Sequence, residues 1–505
     1  MLAHINTITF NGLETLPVDL QVQISSGLPN FTIVGLPDKA IAESRERVRS
    51  AIQALGLSLP AKRITINLAP ADLLKEGSHF DLPVALGILS CMGIIPAEEL
   101  SGYIAVGELS LDGSIVPVNG VLPVAIHAMR TNHGLICPQK QGGEATWSGL
   151  KDIIAAPDLI SLINHFKGIA TLPFPQQQTP QHKTKHLDLS DVKGQESAKR
   201  ALEIAAAGGH NLLMVGPPGS GKSMLAARLP SILPPLTAEE ALETSMIHSI
   251  AGILKENGLC FDRPFRNPHH NASTPSLVGG GRKAKPGEIS LAHNGILFLD
   301  ELPEFDRSAL EALRQPLENG SISIARVNTH AVYPAKFQLI AAMNPCRCGN
   351  LGIPELACPR APKCAVEYQA KLSGPLLDRI DMHIEVPAVS PWKLSEGRSG
   401  ETSEIVRNRV IAARKIQKDR FLQHGISNLS TNAELKGQLL EEIACLENDA
   451  KSLLVTFADK NHLSARAYHR TLRLARTIAD LQNATNILKI HIAEALSYRH
   501  TAPEA

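Results

Sequence analysis

The chain lacks a run of apolar residues long enough to cross a membrane. Its most apolar stretch, Leu82–Pro96, is too short for that and is interrupted by Pro83, Gly87 and Gly93. The first residues also lack a basic segment followed by an apolar one, so no secretory signal is predicted. We therefore expect a cytoplasmic protein with no membrane partner.

A charge imbalance and a disorder signature are absent as well. The 505 residues carry a formal net charge of +1, which neither requires nor excludes nucleic acid, because a basic channel is compatible with a neutral total. Apolar residues make up 44% and charged residues 20%, as in ordinary globular proteins. The sequence contains no internal repeat, and its length suggests about three domains.

What the chain does contain is a complete phosphate-binding pattern, G-x-x-x-x-G-K-[ST], between an apolar strand and a helix. Its residues are Gly216, Pro217, Pro218, Gly219, Ser220, Gly221, Lys222 and Ser223, and Met224 follows in the helix. The glycines let backbone N–H groups face phosphate, Lys222 reaches the terminal phosphates, and Ser223 is a ligand for Mg²⁺. The pattern therefore predicts a nucleotide site with Mg²⁺.

Two later apolar strands end in polar residues. The first is followed by Asp300, which is suited to hold Mg²⁺, and Glu301, which is suited to polarise the attacking water. The second ends at Asn344, whose amide can orient the same water. An acidic pair can also cap a helix, and an Asn before Pro is often a turn residue. The phosphate-binding pattern upstream favours the catalytic interpretation.

Four of the eight cysteines follow that Asn within nineteen residues: Cys346, Cys348, Cys358 and Cys364. In a cytosolic chain, cysteines are expected as thiols or metal ligands rather than disulfides. Four thiolates can close a tetrahedral zinc site on a segment with few core-forming residues. The C-x-C spacing is less typical of zinc than C-x-x-C, and reduced thiols without metal are the alternative.

Composition divides the chain at a segment rich in Pro and Gln, residues 171–187, which is typical of a linker. Before it, strand-like alternation at Arg63–Leu68 and helical spacing at Ala40–Leu55 predict a mixed α/β domain, residues 1–170. After it, strands and helices alternate as a parallel, doubly wound sheet requires, over residues 188–390. Residues 391–505 are predicted helical, with helices at 404–423, 432–457, 464–481 and 487–499.

Taken in order, these motifs resemble an AAA+ ATPase of the Mg-chelatase branch. The segments Ser373–Asp381 and Ser464–Arg470 extend the likeness, which covers nearly the whole chain. Three stretches match the ComM/YifB family more closely: Asp191–Gln195, Arg266–His270 and Pro286–His293. The expected fold class is accordingly α/β, with a doubly wound AAA+ core and a C-terminal helical lid.

The resemblance implies a homo-hexameric ring with ATP and Mg²⁺ between subunits. Arg379 would be the finger that reaches a neighbour's γ-phosphate, and Arg466 the second sensor, acting in cis or in trans. Val192 and Gly194 would lie near the adenine. The alternatives are a salt bridge for Arg379 and a solvated helix face for Arg466.

The N-terminal part has its own resemblance, to a Lon-protease-like α+β domain, in Lys75–Pro83 and Gly107–Gly120. A Lon peptidase needs a serine nucleophile beside a lysine of lowered pKa. The matching positions hold His79 and Leu122, and leucine cannot accept a proton. The domain is therefore predicted to be a catalytically inactive scaffold.

The segment between the phosphate-binding pattern and Asp300 is longer than one helix and one strand require. In related ring ATPases such an insert faces the pore, and basic residues beside glycines suit contacts to a phosphate backbone. An aromatic ring there suits stacking on a base. The predicted DNA-contact residues are Arg263, Phe265, Arg266, Arg282, Lys283 and Lys285. A basic turn against the adjacent subunit is the alternative, the hairpin around Ile322–Tyr333 is a second pore candidate, and His269 and His270 are expected to anchor a loop.

The function implied by the family is an ATP-driven ring motor on single-stranded and branched double-stranded DNA. It would promote branch migration with the recombination machinery during natural transformation. One alternative is a Mg-chelatase-type ATPase that remodels a protein partner. A second, an ATP-dependent protease, is opposed by the missing catalytic pair.

Overall fold

The computed structural model describes residues 1–177, 187–254, 258–281, 284–326, 329–349, 351, 358, 360–389 and 400–499. Its strands are β1 (Leu2–Asn11), β2 (Glu14–Ser25), β3 (Asn30–Val34), β4 (Arg63–Ala69), β5 (Tyr103–Ala105), β6 (Glu108–Leu109), β7 (Ile115–Val116), β8 (Gly134–Pro138), β9 (Ile153–Ala156), β10 (Leu212–Val215), β11 (Phe265–Arg266), β12 (Gly279–Gly280), β13 (Lys285–Pro286), β14 (Ile296–Leu299), β15 (Ser321–Arg326), β16 (Thr329–Pro334), β17 (Gln338–Met343) and β18 (Met382–Glu385).

The helices are α1 (Lys39–Ala54), α2 (Asp81–Cys91), α3 (Ala97–Ser101), α4 (Val121–Arg130), α5 (Gly142–Thr146), α6 (Leu159–Phe166), α7 (Glu196–Gly208), α8 (Lys222–Ala226), α9 (Leu229–Ile232), α10 (Ala238–Ala251), α11 (Thr274–Val278), α12 (Glu288–Leu291), α13 (Arg307–Ala312), α14 (Arg314–Asn319), α15 (Lys363–Gln369), α16 (Gly374–Leu377), α17 (Ser403–Gln423), α18 (Gly437–Ala444), α19 (Asn448–Lys460), α20 (Ala465–Leu481) and α21 (Lys489–Ser497). Short 3₁₀ turns lie at Ser78–Phe80, Gln139–Gln141, Leu189–Asp191, Leu302–Glu304 and Asn432–Glu434.

The N-terminal part is built on a mixed sheet in the order β3-β4-β2-β1-β5-β8-β9. Strand β4 alternates as its sequence predicts, because Ile64, Ile66 and Leu68 are buried while their neighbours are not. The apolar run that begins at Leu82 forms the core helix α2. A methyl group at Gly87 in that helix would lie 2.4 Å from a Val22 side-chain carbon, so helix and sheet are in close contact.

The second large sheet has the order β11-β14-β17-β10-β18, and every neighbouring pair in it is parallel. Parallel neighbours need crossover connections, and helices provide them here. This parallel α/β core is consistent with an AAA+-type, Mg-chelatase-like domain. It places the carboxyl ends of β10, β14 and β17 at one edge of the sheet.

The C-terminal helices share a hydrophobic core with that sheet. Side chains of the sheet, including Phe298 and Ile340, belong to the same buried cluster as Phe421, Leu440 and Leu474 of the helices. Within the described ranges, no helix combines the length and apolarity that a bilayer crossing demands.

The helix predicted over residues 432–457 was wrong in its continuity. It is split into α18 and α19, because Cys445 takes the left-handed conformation with φ of 43°. The backbone N–H of Ile487 donates to the Cys445 carbonyl (3.0 Å), and Glu447 donates back to Ile487 (3.1 Å). A long-range backbone pairing therefore interrupts a segment whose local sequence favours helix.

Polar and aromatic contacts connect the N-terminal part to the remainder of the chain. The Ser249 hydroxyl in α10 donates to the buried Glu144 carboxylate (2.5 Å), and the Gly120 N–H donates to the Ser249 carbonyl (3.1 Å). Trp147 meets Phe261 edge-on, with ring centroids 5.5 Å apart. Burial raises the pKa of Glu144, although hydrogen bonds from Ser249 and two other donors favour the carboxylate.

Candidate nucleotide-binding site

The phosphate-binding loop connects the end of β10 to the start of α8. Gly219 and Gly221 have φ of 75° and 92°, and a Cβ built on either one would meet no atom within 4 Å. Both glycines therefore border open space on the outer side of the loop. Gly216 is confined, because a methyl group there would lie 2.1 Å from the Val386 carbonyl oxygen. The loop conformation requires glycine at all three positions.

Lys222 lies inside this loop and is only 8% exposed. Its ammonium group donates to the carbonyls of Gly216 (2.7 Å) and Pro217 (2.9 Å) and to the Asn344 side-chain oxygen (3.2 Å). Burial lowers the pKa of Lys222. The contact places Asn344, at the tip of β17, beside the phosphate-binding loop.

Ser223 and Asp300 meet across the same edge of the sheet. The Ser223 hydroxyl donates to a carboxylate oxygen of Asp300 (2.5 Å), and the Glu301 backbone N–H donates to the other oxygen (2.9 Å). A hydroxyl and a carboxylate are the oxygen ligands that Mg²⁺ accepts beside phosphate. These two side chains therefore fit the ion that a nucleotide brings.

Glu301 has a partner that the sequence did not identify. Its carboxylate lies 3.1 Å from Nδ1 of His270, and the His269 and His270 rings are in contact, with centroids 4.2 Å apart. His270 was expected to anchor a loop, but the group that it contacts is the predicted catalytic carboxylate. The contact arises because β11 and β14 are parallel neighbours, so residues that follow both strands meet at one edge of the sheet, and this pairing is known only from the structure.

The loop 189–195 lies against the phosphate-binding loop. Val192 is buried, and Gly194, with φ of 67°, approaches Val389. Gln195 donates from its amide to the carbonyls of Ser220 (3.1 Å) and Pro387 (2.6 Å). Gln195 thus holds this loop to the phosphate-binding loop, a contact that no sequence motif indicated.

Arg379 lies at the opposite edge of the sheet. Its backbone carbonyl accepts from the Asn211 side chain (2.9 Å), and Asn211 directly precedes β10. Its guanidinium donates to Glu318 (2.5 Å) and to the Pro375 carbonyl (2.6 Å). The four residues of β10 alone span about 13 Å, so the structure does not bring Arg379 to Lys222 of the same chain.

Arg466 is near that same edge. It is exposed at the start of α20, and its charge acts on Glu318, the carboxylate that binds Arg379. One turn later, Arg470 donates to the Ile380 carbonyl (2.9 Å). Helix α20 therefore begins beside the loop that carries Arg379.

Comparison with known proteins identifies the relatives of this site. The chain is 45% identical over 499 residues to the uncharacterised protein YifB of Salmonella typhimurium, covering 99% of this chain and 97% of that protein. It is also 45% identical over 499 residues to the competence protein ComM of Haemophilus influenzae, covering 97% and 95%. The chain belongs to the ComM/YifB family.

Family models add the relationship to Mg-chelatase. The model described as magnesium chelatase, subunit ChlI, matches residues 188–394. Two others, subunit ChlI of Mg-chelatase and the ChlI C-terminal model, match residues 20–141 and 400–499. The Mg-chelatase 67 kDa subunit of Chlorobaculum parvum is 29% identical over 162 residues, 31% of this chain and 23% of that subunit. The predicted family is confirmed.

The structure brings the clustered cysteines of this ComM/YifB protein together. The sulfurs of Cys346, Cys348 and Cys364 all lie within 4.8 Å of one another, with Cys346 and Cys348 at 3.2 Å. Cys358 contacts the sulfurs of Cys348 and Cys364. Sulfurs around a tetrahedral zinc with 2.3 Å bonds are about 3.8 Å apart. Three of the four sulfurs are therefore close enough to bind one metal ion, and Cys358 adjoins two of them.

Three of the residues predicted to contact DNA instead form contacts within the chain of this ComM/YifB protein. Arg263 donates to two backbone carbonyls and to Glu240 (3.0 Å), and is 10% exposed. Arg266 forms a two-pronged pair with Glu288 (2.6 and 2.7 Å). Phe265 stacks on Phe298 of the central sheet, with centroids 6.0 Å apart.

The reason for this correction is that the two-residue strand β11 is too short to be recognised in sequence. Arg263, shortly before this strand, and Arg266, within it, therefore resembled an exposed basic loop. Of the other predicted contacts, Lys285 is exposed on β13. Arg282 and Lys283 lie outside the described residues.

The positions matched to a peptidase's catalytic pair have structural contacts. His79 is 6% exposed, and its Nε2 forms a hydrogen bond with the Ile8 carbonyl (2.9 Å). Leu122 is fully buried, and its backbone N–H donates to Glu144 (3.0 Å). Both residues therefore contribute contacts within the N-terminal part.

Proposed function

We propose that this ComM/YifB protein is an ATP-driven motor that assembles as a homo-hexameric ring and moves branched DNA during recombination. Its relationship to Mg-chelatase-like AAA+ proteins supports hydrolysis of ATP with Mg²⁺. Its relative from Haemophilus influenzae is named a competence protein. We extend that role here to the handling of incoming DNA strands.

One observation supports assembly into a ring: the two groups of residues that a hydrolytic site needs lie at opposite edges of the central sheet. Lys222 and Asn344 lie at the carboxyl ends of β10 and β17, whereas Arg379 precedes β18 at the other edge. Arg379 would then act on a neighbour's nucleotide, with Arg466 near the same interface. Head-to-tail contacts of this kind close into rings when the rotation permits.

Within such a site, each side chain has a distinct task. Lys222 would bind the terminal phosphates, and Ser223 with Asp300 would hold Mg²⁺, which offsets phosphate charge when bound. Glu301 would orient the attacking water and accept its proton, with Asn344 holding the same water. The neighbour's Arg379 would stabilise charge that develops on the transferred phosphate. Arg466, beside it, would sense the nucleotide.

We place the DNA-contacting surface at the β15–β16 hairpin and the adjoining β12–β13 segment. One face of the hairpin is buried through Ile322, Ile324 and Tyr333. The Tyr333 hydroxyl donates to the Ala284 carbonyl (3.0 Å), next to the exposed Lys285. The two segments thus form one unit that can present basic residues to a phosphate backbone.

We also propose that the four cysteines hold a structural zinc ion. The sulfurs of Cys346, Cys348 and Cys364 lie within 4.8 Å of one another, Cys358 is the fourth cysteine of the segment, and zinc is the divalent ion that four thiolates favour. Metal analysis of protein purified without chelators should find about one zinc per chain. Substoichiometric zinc in such a preparation would remove this part of the proposal.

The decisive experiment is four-way-junction migration by wild type, Lys222→Ala and Glu301→Gln, with Lys151→Ala as a matched control. Lys151 is exposed in the N-terminal part, away from the nucleotide site. We expect migration by wild type and by the control variant only. Equal migration by all four proteins would refute ATP-driven movement.

A protein-remodelling ATPase of the Mg-chelatase type is the second candidate, favoured by the three ChlI models that match the chain. ATP hydrolysis with and without DNA separates the two functions. A motor should bind DNA at low salt, where phosphate contacts are strongest, and hydrolyse ATP faster with it. Active hydrolysis without any DNA binding would favour the remodelling enzyme.

A further inference from the structure

The turn that carries the first two cysteines packs directly on the phosphate-binding loop. Gly349 is buried, with φ of 81°, and follows Cys348. A methyl group built on Gly349 would lie 2.5 and 2.6 Å from two ring carbons of Pro218. The Gly349 backbone is therefore in contact with the middle of the loop that would bind phosphate.

This turn is organised around its sulfur atoms. The Gly349 N–H donates to the Cys346 carbonyl (3.0 Å), which closes the turn. Backbone N–H groups of Gly349 and Leu351 also approach the Cys346 sulfur, and the Arg360 N–H approaches the Cys358 sulfur.

The cysteines also connect separate elements around the nucleotide site. Cys346 is fully buried two residues after Asn344, whereas Cys364 lies in α15. Gln369 of α15 donates to the Pro345 carbonyl (3.1 Å). A metal bound by these sulfurs would tie the end of β17 to α15 and hold the intervening turn against Pro218.

We propose that this metal site braces the phosphate-binding loop, so that nucleotide affinity depends on metal occupancy. The reason is the entropy cost of ordering the turn. Without the metal that its cysteines bind, nothing of that site fixes Gly349 beside Pro218. Nucleotide binding must then supply the ordering of both segments. The inference rests on the proposed nucleotide site at Lys222.

The experiment compares zinc content with affinity for a fluorescent ATP analogue in the presence of Mg²⁺. Cys348→Ser should lose zinc and bind the analogue about tenfold more weakly, a factor that corresponds to about 1.4 kcal/mol. Cys348 is exposed, so its removal leaves the hydrophobic core intact. Cys445→Ser, at another exposed cysteine, should change neither quantity.

A second variant separates the brace from the metal. Gly349→Ala keeps all four cysteines but forces a methyl group into the Pro218 ring, so affinity should fall while zinc remains. If zinc is lost there too, Pro218→Ala removes the contact from the other side, and reduced affinity with full zinc is expected.

Three results would each overturn the brace. They are wild-type protein without zinc, a folded, zinc-free Cys348→Ser protein with wild-type affinity, and a zinc-bearing Pro218→Ala protein with wild-type affinity. Lys222→Ala tests the nucleotide site independently, since it should lose analogue binding and keep its zinc. Unchanged binding in Lys222→Ala would contradict the proposed site and leave the zinc measurements interpretable.

Discussion

Two inactive variants, Lys222→Ala and Arg379→Ala, should regain ATPase activity when their subunits are mixed. Lys222 lies at the carboxyl end of β10 and Arg379 near its amino end, with Asn211 as the link between β10 and Arg379. An arginine side chain does not span the length of that strand. A complete site therefore takes Lys222 from one subunit and Arg379 from the next.

The expected activity follows from counting sites. Loss of an arginine finger lowers the rate by about 10³–10⁵, so each variant alone should be nearly inactive. In a random equimolar ring, about one site in four has Lys222 on one side and Arg379 on the other, so about a quarter of wild-type activity is expected. A site completed within one chain would give no recovery.

The assay is steady-state ATP hydrolysis after the two proteins are mixed under conditions that allow subunit exchange. A matched control mixes Lys222→Ala with Glu301→Gln, two changes in the same half of the site, which should recover nothing. Formation of mixed rings must be shown by differently tagged subunits. Mixed rings of the first pair without recovered hydrolysis would refute assembly of the site across the interface.

Three further results are expected. His270→Ala should lower the ATP hydrolysis rate about tenfold, because His270 contacts the Glu301 carboxylate. Nucleotide affinity should change little, since the contact is not with the phosphate-binding loop. An unchanged hydrolysis rate would exclude a positioning role for His270. The free energy of unfolding of the wild type, measured in denaturant, should fall relative to that of Glu144→Gln as the pH rises above 4.5, because burial raises the folded-state pKa of the Glu144 carboxyl. Unfolding free energies that change with pH equally in the two proteins would contradict this. Gly216→Ala should abolish nucleotide binding in a filter assay, because its methyl group would collide with the Val386 carbonyl.

Sequence patterns predicted the elements whose signals are local. The apolar strands predicted before Gly216, Asp300 and Asn344 are all present, as β10, β14 and β17. Buried parallel strands are short apolar runs, and such runs are visible without any tertiary information. The polar residues at their carboxyl ends were predicted for the same reason.

Contacts set by distant segments were not predictable in this way. The break at Cys445 depends on Ile487, and the confinement of Phe265 depends on Phe298 in a neighbouring strand. The His270–Glu301 contact likewise joins residues from two loops. Each of these three contacts depends on the strand order or on the return of a distant segment, and spacing along the chain encodes none of them.

The sequence by itself determined the chemistry of the nucleotide site: glycines, a lysine, a hydroxyl and carboxylates at spacings that suit phosphate and Mg²⁺. Only the tertiary structure decided which edge of the sheet each group occupies, and hence that Lys222 and Arg379 lie apart. The physical reason is that side-chain type and local spacing belong to the chain, whereas strand order and direction follow from packing between segments far apart in sequence.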